Sequence, residues 1–247
     1  MTQEWWRLDA GCATLSSDGL NGCVQLNSAR PGLTWEAEAG PRLSFELPDA
    51  PANFAEEGRF SAYVRGHDLV AAYEETPDRA LRVLAYWHVL EQSAGQGCDL
   101  RLSVQTSRLD ANPALLAFSE FPPCPAWLLQ PGLIDDELPT DLHFALVDSN
   151  TMQKWLPRQT AGGVLLRPEQ ADSSWLHLIH PADFCHLHLN ATAAGLRVSA
   201  TLFGDFLEKG VILRARLRLL RLPRLDDETH ALAAFRSFLQ TELPLTT

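Results

Sequence analysis

The sequence predicts an all-β fold, mainly an antiparallel β-sandwich with enough chain for many strands, closed by one C-terminal α-helix. Three observations carry this. Apolar and polar side chains alternate with a period of two over most of the chain, the mark of strands with one buried face. A helical period dominates only after Pro223. The 247 residues, 46% hydrophobic and 21% charged, suit a globular protein with a sizeable core. All-β sandwiches of this length are often one domain, so residues 1–247 are read as a single sandwich domain.

In chain order, Glu36 and Glu38 come first, on one face of an extended segment opposite Trp35 and Ala37. Their separation of about 7 Å lies in the range of inverting glycosidases, although glutamates on a solvated strand look the same. The next ambiguous stretch is 76–95. Thr76 and Pro77 can start a helix, yet "TPDR" also makes a type I turn, and Val83, Tyr86, Trp87 and Val89 favour strand, which tips the reading to a hairpin. In "DLRLSVQTS" Leu100, Leu102 and Val104 face one way and Asp99, Arg101 and Ser103 the other. The four prolines of "FPPCPAWLLQPG" predict a packed crossover loop at 121–132.

"GLRVSATLF" and "GVILRARLRLL" alternate again, with Leu196, Val198, Ala200 and Leu202 on one buried face and Val211, Leu213, Ala215, Leu217 and Leu219 on another. Gly204 and Gly210 between them suggest that the two form a hairpin with a longer loop. Arg214, Arg216 and Arg218 are expected on the wet face, where they could bind an anionic sugar or phosphate, although pairing with acidic side chains of a neighbouring strand is the favoured reading on so acidic a chain. The helix is expected at about 226–241, with Asp226 as N-cap and a stripe of Leu232, Phe235, Leu239 and Leu243.

Charge and motif content narrow the function. A formal charge of −11 argues against nucleic acid and an anionic membrane surface as partners. "MTQEWWRLDAGC" lacks the pattern of a signal peptide, and no apolar run approaches the roughly 18–20 residues of a spanning helix, so a cytoplasmic protein is expected. The five cysteines, Cys12, Cys23, Cys98, Cys124 and Cys185, are odd in number and irregularly spaced, which reads as reduced, buried thiols. Phosphate-loop, dinucleotide, nucleophile-elbow and zinc-helix patterns are missing from the sequence, and no cofactor and no metal is expected.

Two clusters remain. "HLIHPADFCHLHLN", residues 177–190, would place Phe184, His186, His188 and Asn190 on one strand face, and two histidines at i, i+2 can reach one metal ion. No glutamate follows to complete a cupin-like set, so a wet strand face is the favoured reading and a metal-dependent site the alternative. The second cluster follows from the hairpin. A turn at Pro77 and Asp78 sets His67 opposite His88, with Tyr63, Arg65 and Tyr86 pointing the same way.

Aromatic rings, imidazoles and a guanidinium together suit a polyhydroxylated ligand, so carbohydrate binding or modification on a concave sheet face is the leading reading, with convergence of these five residues in a pocket as its consequence. A sugar or small polar ligand is the partner that this implies. The competing class is a non-enzymatic interaction or scaffold protein that meets a protein partner, or a second copy of itself, through exposed aromatics such as Trp5 and Trp6.

Overall fold

A computed structural model describes residues 5–17, 20–36, 40–50, 54, 60–92, 95–130, 142–148, 155–157, 162–204 and 206–241. Its first strands are β1 (Trp6–Asp9), β2 (Cys12–Ser17), β3 (Leu20–Gln25), β4 (Gly32–Trp35), β5 (Arg42–Phe45), β6 (Phe60–Arg65) and β7 (Asp68–Tyr73). There follow β8 (Arg82–Gln92), β9 (Gly95–Gln105), β10 (Asp110–Ala111), β11 (Leu115–Phe121), β12 (Ala126–Gln130), β13 (His143–Leu146) and β14 (Trp155–Pro157). The last are β15 (Gly163–Leu166), β16 (Ser173–Ile179), β17 (Phe184–Thr192), β18 (Gly195–Leu202), β19 (Leu207–Glu208) and β20 (Ile212–Pro223), before helix α1 (Asp227–Leu239).

Among the described residues these strands make two nine-stranded antiparallel sheets and a two-stranded β10–β19 ladder. The first sheet runs β1-β2-β3-β4-β5-β11-β18-β17-β14, the second β13-β12-β15-β16-β20-β9-β8-β7-β6. The expected all-β class with a C-terminal helix is what forms. The alternation does its work as read: Leu100, Leu102 and Val104 of β9, Val198, Ala200 and Leu202 of β18, and Ala215, Leu217 and Leu219 of β20 are all buried in the core between the sheets.

Several local expectations are corrected. Strands β18 and β20 do not form a hairpin: β18 pairs with β11 and β17 in the first sheet, β20 with β16 and β9 in the second, so "GDFLEKG" crosses between sheets. The proline-rich crossover is limited to Pro122–Pro125, and Ala126–Gln130 is a strand between β13 and β15, with Leu128 and Leu129 buried on its two faces. Residues 131 and 132 of that segment lie outside the described ones. Val211 precedes β20 and is exposed.

The wet outer face expected for the second sheet is dry in part, because α1 packs on β15, β16 and β20. Leu165, Leu176, Leu178, Leu220 and Leu222 form a second apolar cluster with Ala231, Ala234, Phe235 and Phe238 of the helix. The buried stripe is thus shifted from the expected one, with Leu232 and Leu239 at its margin and Leu243 outside the described residues. Asp226 sits at the N-cap in a left-handed conformation, φ 56°, but its side chain makes no cap hydrogen bond. The anchoring carboxylate is the buried Asp227, which accepts from Arg167 at 2.8 and 2.6 Å and from Ser174.

Cys12 and Cys23 are joined as a disulfide between β2 and β3, Cα atoms 6.8 Å apart, so the expectation of five reduced, buried thiols does not hold for this pair. Trp5 and Trp6 are buried in the core rather than exposed, which removes them as a protein-docking surface. No helix among the described residues is long and apolar enough to cross a membrane.

Candidate functional site

The five residues proposed from the sequence gather on the outer face of the second sheet, although the route differs from the one expected. The segment 60–73 is a hairpin, not one strand: the chain reverses at Gly66 and His67, with Gly66 at φ 59°, a conformation that glycine adopts without a Cβ clash. Strand β7 then pairs with β8 through the turn at 76–79, where Thr76 N donates to Arg79 O at 3.1 Å and Arg79 N to Thr76 Oγ1 at 3.0 Å. The hairpin preferred over a helix for 76–95 is therefore present, but its register is shifted by one residue. Asp68, not His67, stands opposite His88.

Following the register across five strands gives a row of side chains on one face. Arg65 of β6 faces Asp68 of β7, Asp68 faces His88 of β8, His88 faces Asp99 of β9, and Asp99 faces Arg218 of β20. The order is cation, carboxylate, imidazole, carboxylate, cation. One step along the strands the next row reads Tyr63, Val70, Tyr86, Arg101 and Arg216. On β7, β8, β9 and β20 the residues between these rows, Leu69, Trp87, Leu100 and Leu217, are fully buried, so the polar rows there point away from the core, whereas Val64 between them on the edge strand β6 is exposed.

Contacts inside the rows are specific. His88 Nδ1 and Asp68 Oδ1 are 2.7 Å apart, and Arg65 Nη2 lies 3.8 Å from Asp68 Oδ2. Burial would raise the Asp68 carboxyl, but the hydrogen bond with His88 and the charges of His88, Arg101 and Arg65 outweigh it and hold the group below the usual carboxylate range. Asp68 is thus an ionised acceptor at neutral pH. Burial and the neighbouring Tyr63 push the Tyr86 phenol up against the opposing pull of Arg65, Arg214 and Arg82, so it stays protonated and able to donate. Tyr63 is 51% exposed, offering a ring face to solvent.

At one end Arg218 closes a buried bidentate pair with Asp99, at 2.6 and 3.0 Å, and its guanidinium lies 4.9 Å from the centre of the Phe238 ring. The expectation of exposed arginine pairs is corrected here, since both partners are almost fully buried. Arg216 pairs with Asp183 of the loop before β17, at 3.0 Å, rather than with a strand carboxylate. At the other end the turn carrying His67 is fixed by the core. Trp6 Nε1 donates to His67 O at 3.0 Å, the Trp5 and His67 rings are 5.1 Å apart, and the His67 ring stacks on His88 at 6.2 Å.

Sequence reasoning missed Asp68, Asp99 and Arg101 as neighbours of these residues on the same face. The signal was available for the first: "RGHD" is a short glycine-bearing connection between two alternating runs, the mark of a tight hairpin. Of the other candidates, Glu36 is exposed, and Glu38 lies outside the described residues. His186 and His188 point to the outer face of the first sheet, on the far side of the sandwich, since Leu187 and Leu189 between them are buried. A bulge between Phe184 and His186 turns Phe184 into the core, so it does not share their face as expected. Among the described residues no three histidine, cysteine, aspartate or glutamate side chains are grouped to hold a metal ion.

His177 and His180 also part company. His180 lies beside Asp183 and the Phe238 ring. His177 is fully buried between the sheets, where its Nδ1 is 2.9 Å from Ser119 Oγ of the opposite sheet. Two clefts bordered by described residues lie elsewhere: one beside Glu120, Asn190, Thr192 and Arg197, the other beside Asp110, Asn112 and Phe206.

No protein-family model matches the chain, and no curated protein matches its sequence. Its structure is similar to that of the Slr1438 protein from Synechocystis sp. PCC 6803, at 8% identity over 90% of this chain and 99% of that one, with a TM-score of 0.61. It is also similar to a galactose mutarotase-like protein from Lactobacillus casei ATCC 334, 10% identical over 85% of this chain and 100% of that one, TM-score 0.54. A GalM/aldose epimerase homologue from C. elegans aligns at 7% identity over 83% of this chain and 96% of that one, TM-score 0.53. What these likenesses show is the fold alone, a large antiparallel β-sandwich shared with these proteins.

Proposed function

We propose that this protein binds carbohydrate on the outer face of the second sheet, with Tyr63, Arg65, His67, Tyr86 and His88 as contact residues and Asp68 and Arg101 completing the set. The observation that carries the reading is the His88–Asp68 pair, 2.7 Å apart and in register between two arginine-bearing strands beside Tyr63 and Tyr86. Ionised Asp68 accepts from sugar hydroxyls, the guanidinium and phenol groups donate to them, and the tyrosine rings cover the apolar face of a pyranose. A histidine hydrogen-bonded to a carboxylate can also pass a proton to or from a hydroxyl, the step that sugar modification needs. The mutarotase-like fold supports the reading by analogy of architecture.

The test is calorimetric titration and saturation-transfer NMR with a panel of neutral and charged monosaccharides and short glycans. Binding by at least one sugar, weakened tenfold or more in His88→Ala, is the expected result. No response across the panel, or equal affinity in wild type and His88→Ala, would overturn the assignment.

A further inference from the structure

We infer that the sugar taken by this face is anionic, bearing a carboxylate or a phosphate, and that Arg101 and Arg65 meet its charge. The inference rests on the carbohydrate reading above and deepens it. The chain carries a formal charge of −11, yet this face is locally cationic. Among the described residues, the arginines in and beside the two rows are Arg65, Arg82, Arg101, Arg216 and Arg218, against the carboxylates Glu74, Asp68, Asp99 and Asp183.

Three of the five are committed to one carboxylate each. Arg218 holds Asp99 through both oxygens, Arg216 holds Asp183 at 3.0 Å, and Arg82 holds Glu74 at 2.9 Å. The remaining carboxylate, Asp68, is engaged by His88. Arg101 reaches Asp99 Oδ2 only at 3.4 Å, on an oxygen that Arg218 Nη2 already occupies at 3.0 Å. Arg65 reaches Asp68 only at 3.8 Å. Both guanidinium groups thus keep donor capacity beyond these long contacts, and a guanidinium fork matches carboxylate and phosphate alike.

Burial sharpens the point. The Arg101 side chain is 18% exposed, so its charge is held largely away from water, where it shares the Asp99 carboxylate with Arg218. A further anion would meet the part of that charge which the shared carboxylate leaves uncompensated. Arg65, 69% exposed, stands at the rim in the same row as Asp68 and His88. A bare inorganic anion would need the arginines alone. The tyrosines and the stacked His67 and His88 beside them give the rest of a sugar ring a surface to lie on.

The experiment titrates the full chain with galactose, galacturonate, galactose 6-phosphate and inorganic phosphate, each at 50 and 300 mM NaCl. We expect an acidic sugar to bind at least tenfold tighter than galactose, with the preference shrinking at high salt, as screening requires. Which acidic sugar wins identifies the anion. Arg101→Gln should weaken the acidic sugar far more than galactose, reducing the preference to within about twofold. If Arg101→Gln does not fold, Arg65→Gln at the exposed rim serves instead, and there the preference should fall at least threefold.

Equal binding of galactose and both acidic sugars would overturn the inference and leave the carbohydrate reading standing. So would inorganic phosphate binding as tightly as the sugar phosphate. No sugar binding at all would overturn the carbohydrate reading and this inference with it.

Discussion

Replacing His177 by leucine together with Ser119 by alanine should flatten the pH dependence of stability between pH 7 and 5. His177 is fully buried, its Nδ1 is paired with Ser119 Oγ across the core at 2.9 Å, and its Nε2 meets no hydrogen-bond partner among the described residues. Burial pulls its pKa down from 6.5 to about 4, because the imidazolium would be desolvated there. In the unfolded chain the ring protonates as pH drops through 6.5, whereas in the folded protein it resists until about 4.

Lowering the pH therefore feeds the unfolded state, and stability present above 6.5 is lost progressively towards 4. At about 1.4 kcal/mol per pH unit the loss from this one group between pH 7 and 5 is about 2 kcal/mol. The assay is urea unfolding at half-unit pH steps for wild type and for the double variant, in which neither a titrating ring nor an orphaned hydroxyl remains. The difference between the two curves should grow by about 2 kcal/mol from pH 5 to pH 7 in favour of the wild type. Parallel curves over that window would refute the reasoning.

Other outcomes follow from the same structure. Asp99→Leu alone should lower stability by about 3–5 kcal/mol, since it strands the buried Arg218 guanidinium, while Asp99→Leu with Arg218→Leu should recover most of that loss in the same urea assay. Trp6→Phe removes the hydrogen bond to His67 O. It should cost about 1 kcal/mol in thermal unfolding and weaken sugar binding by loosening the turn that seats His67. Gly97→Ala should unfold the chain or reduce its soluble yield severely, because a Cβ there would collide with the Leu219 carbonyl and Cα of Leu220 on β20.

Sheet architecture was legible because alternation is a direct print of one buried face, as in β9 and β20. Partnership was less so. Strands β18 and β20 each alternate and follow one another, yet they lie in different sheets, and a period of two does not say which sheet a strand joins. Nor does it say whether the second face is wet: β16 is buried throughout because α1 covers its outer side, a tertiary fact. For the site, residue types were readable and register was not.

A one-residue difference in pairing put Asp68 opposite His88, and the reversal at Gly66 brought Tyr63 and Arg65 in from a separate strand. The five residues still share a region because Tyr63 aligns with Tyr86 through Val70, and because the His67 ring stacks on His88 from the turn. The role of Trp5 and Trp6 as core supports of that turn needed three-dimensional neighbours to be seen.

The most direct test of the central claim is histidine-selective NMR during a sugar titration. Carbohydrate binding on the outer face of the second sheet predicts that the imidazole signals of His67 and His88 move together and saturate, while those of His186 and His188 on the opposite side of the sandwich stay in place. Shifts confined to His186 and His188, or no shift of His67 and His88 at a saturating concentration of a sugar that binds, would contradict it.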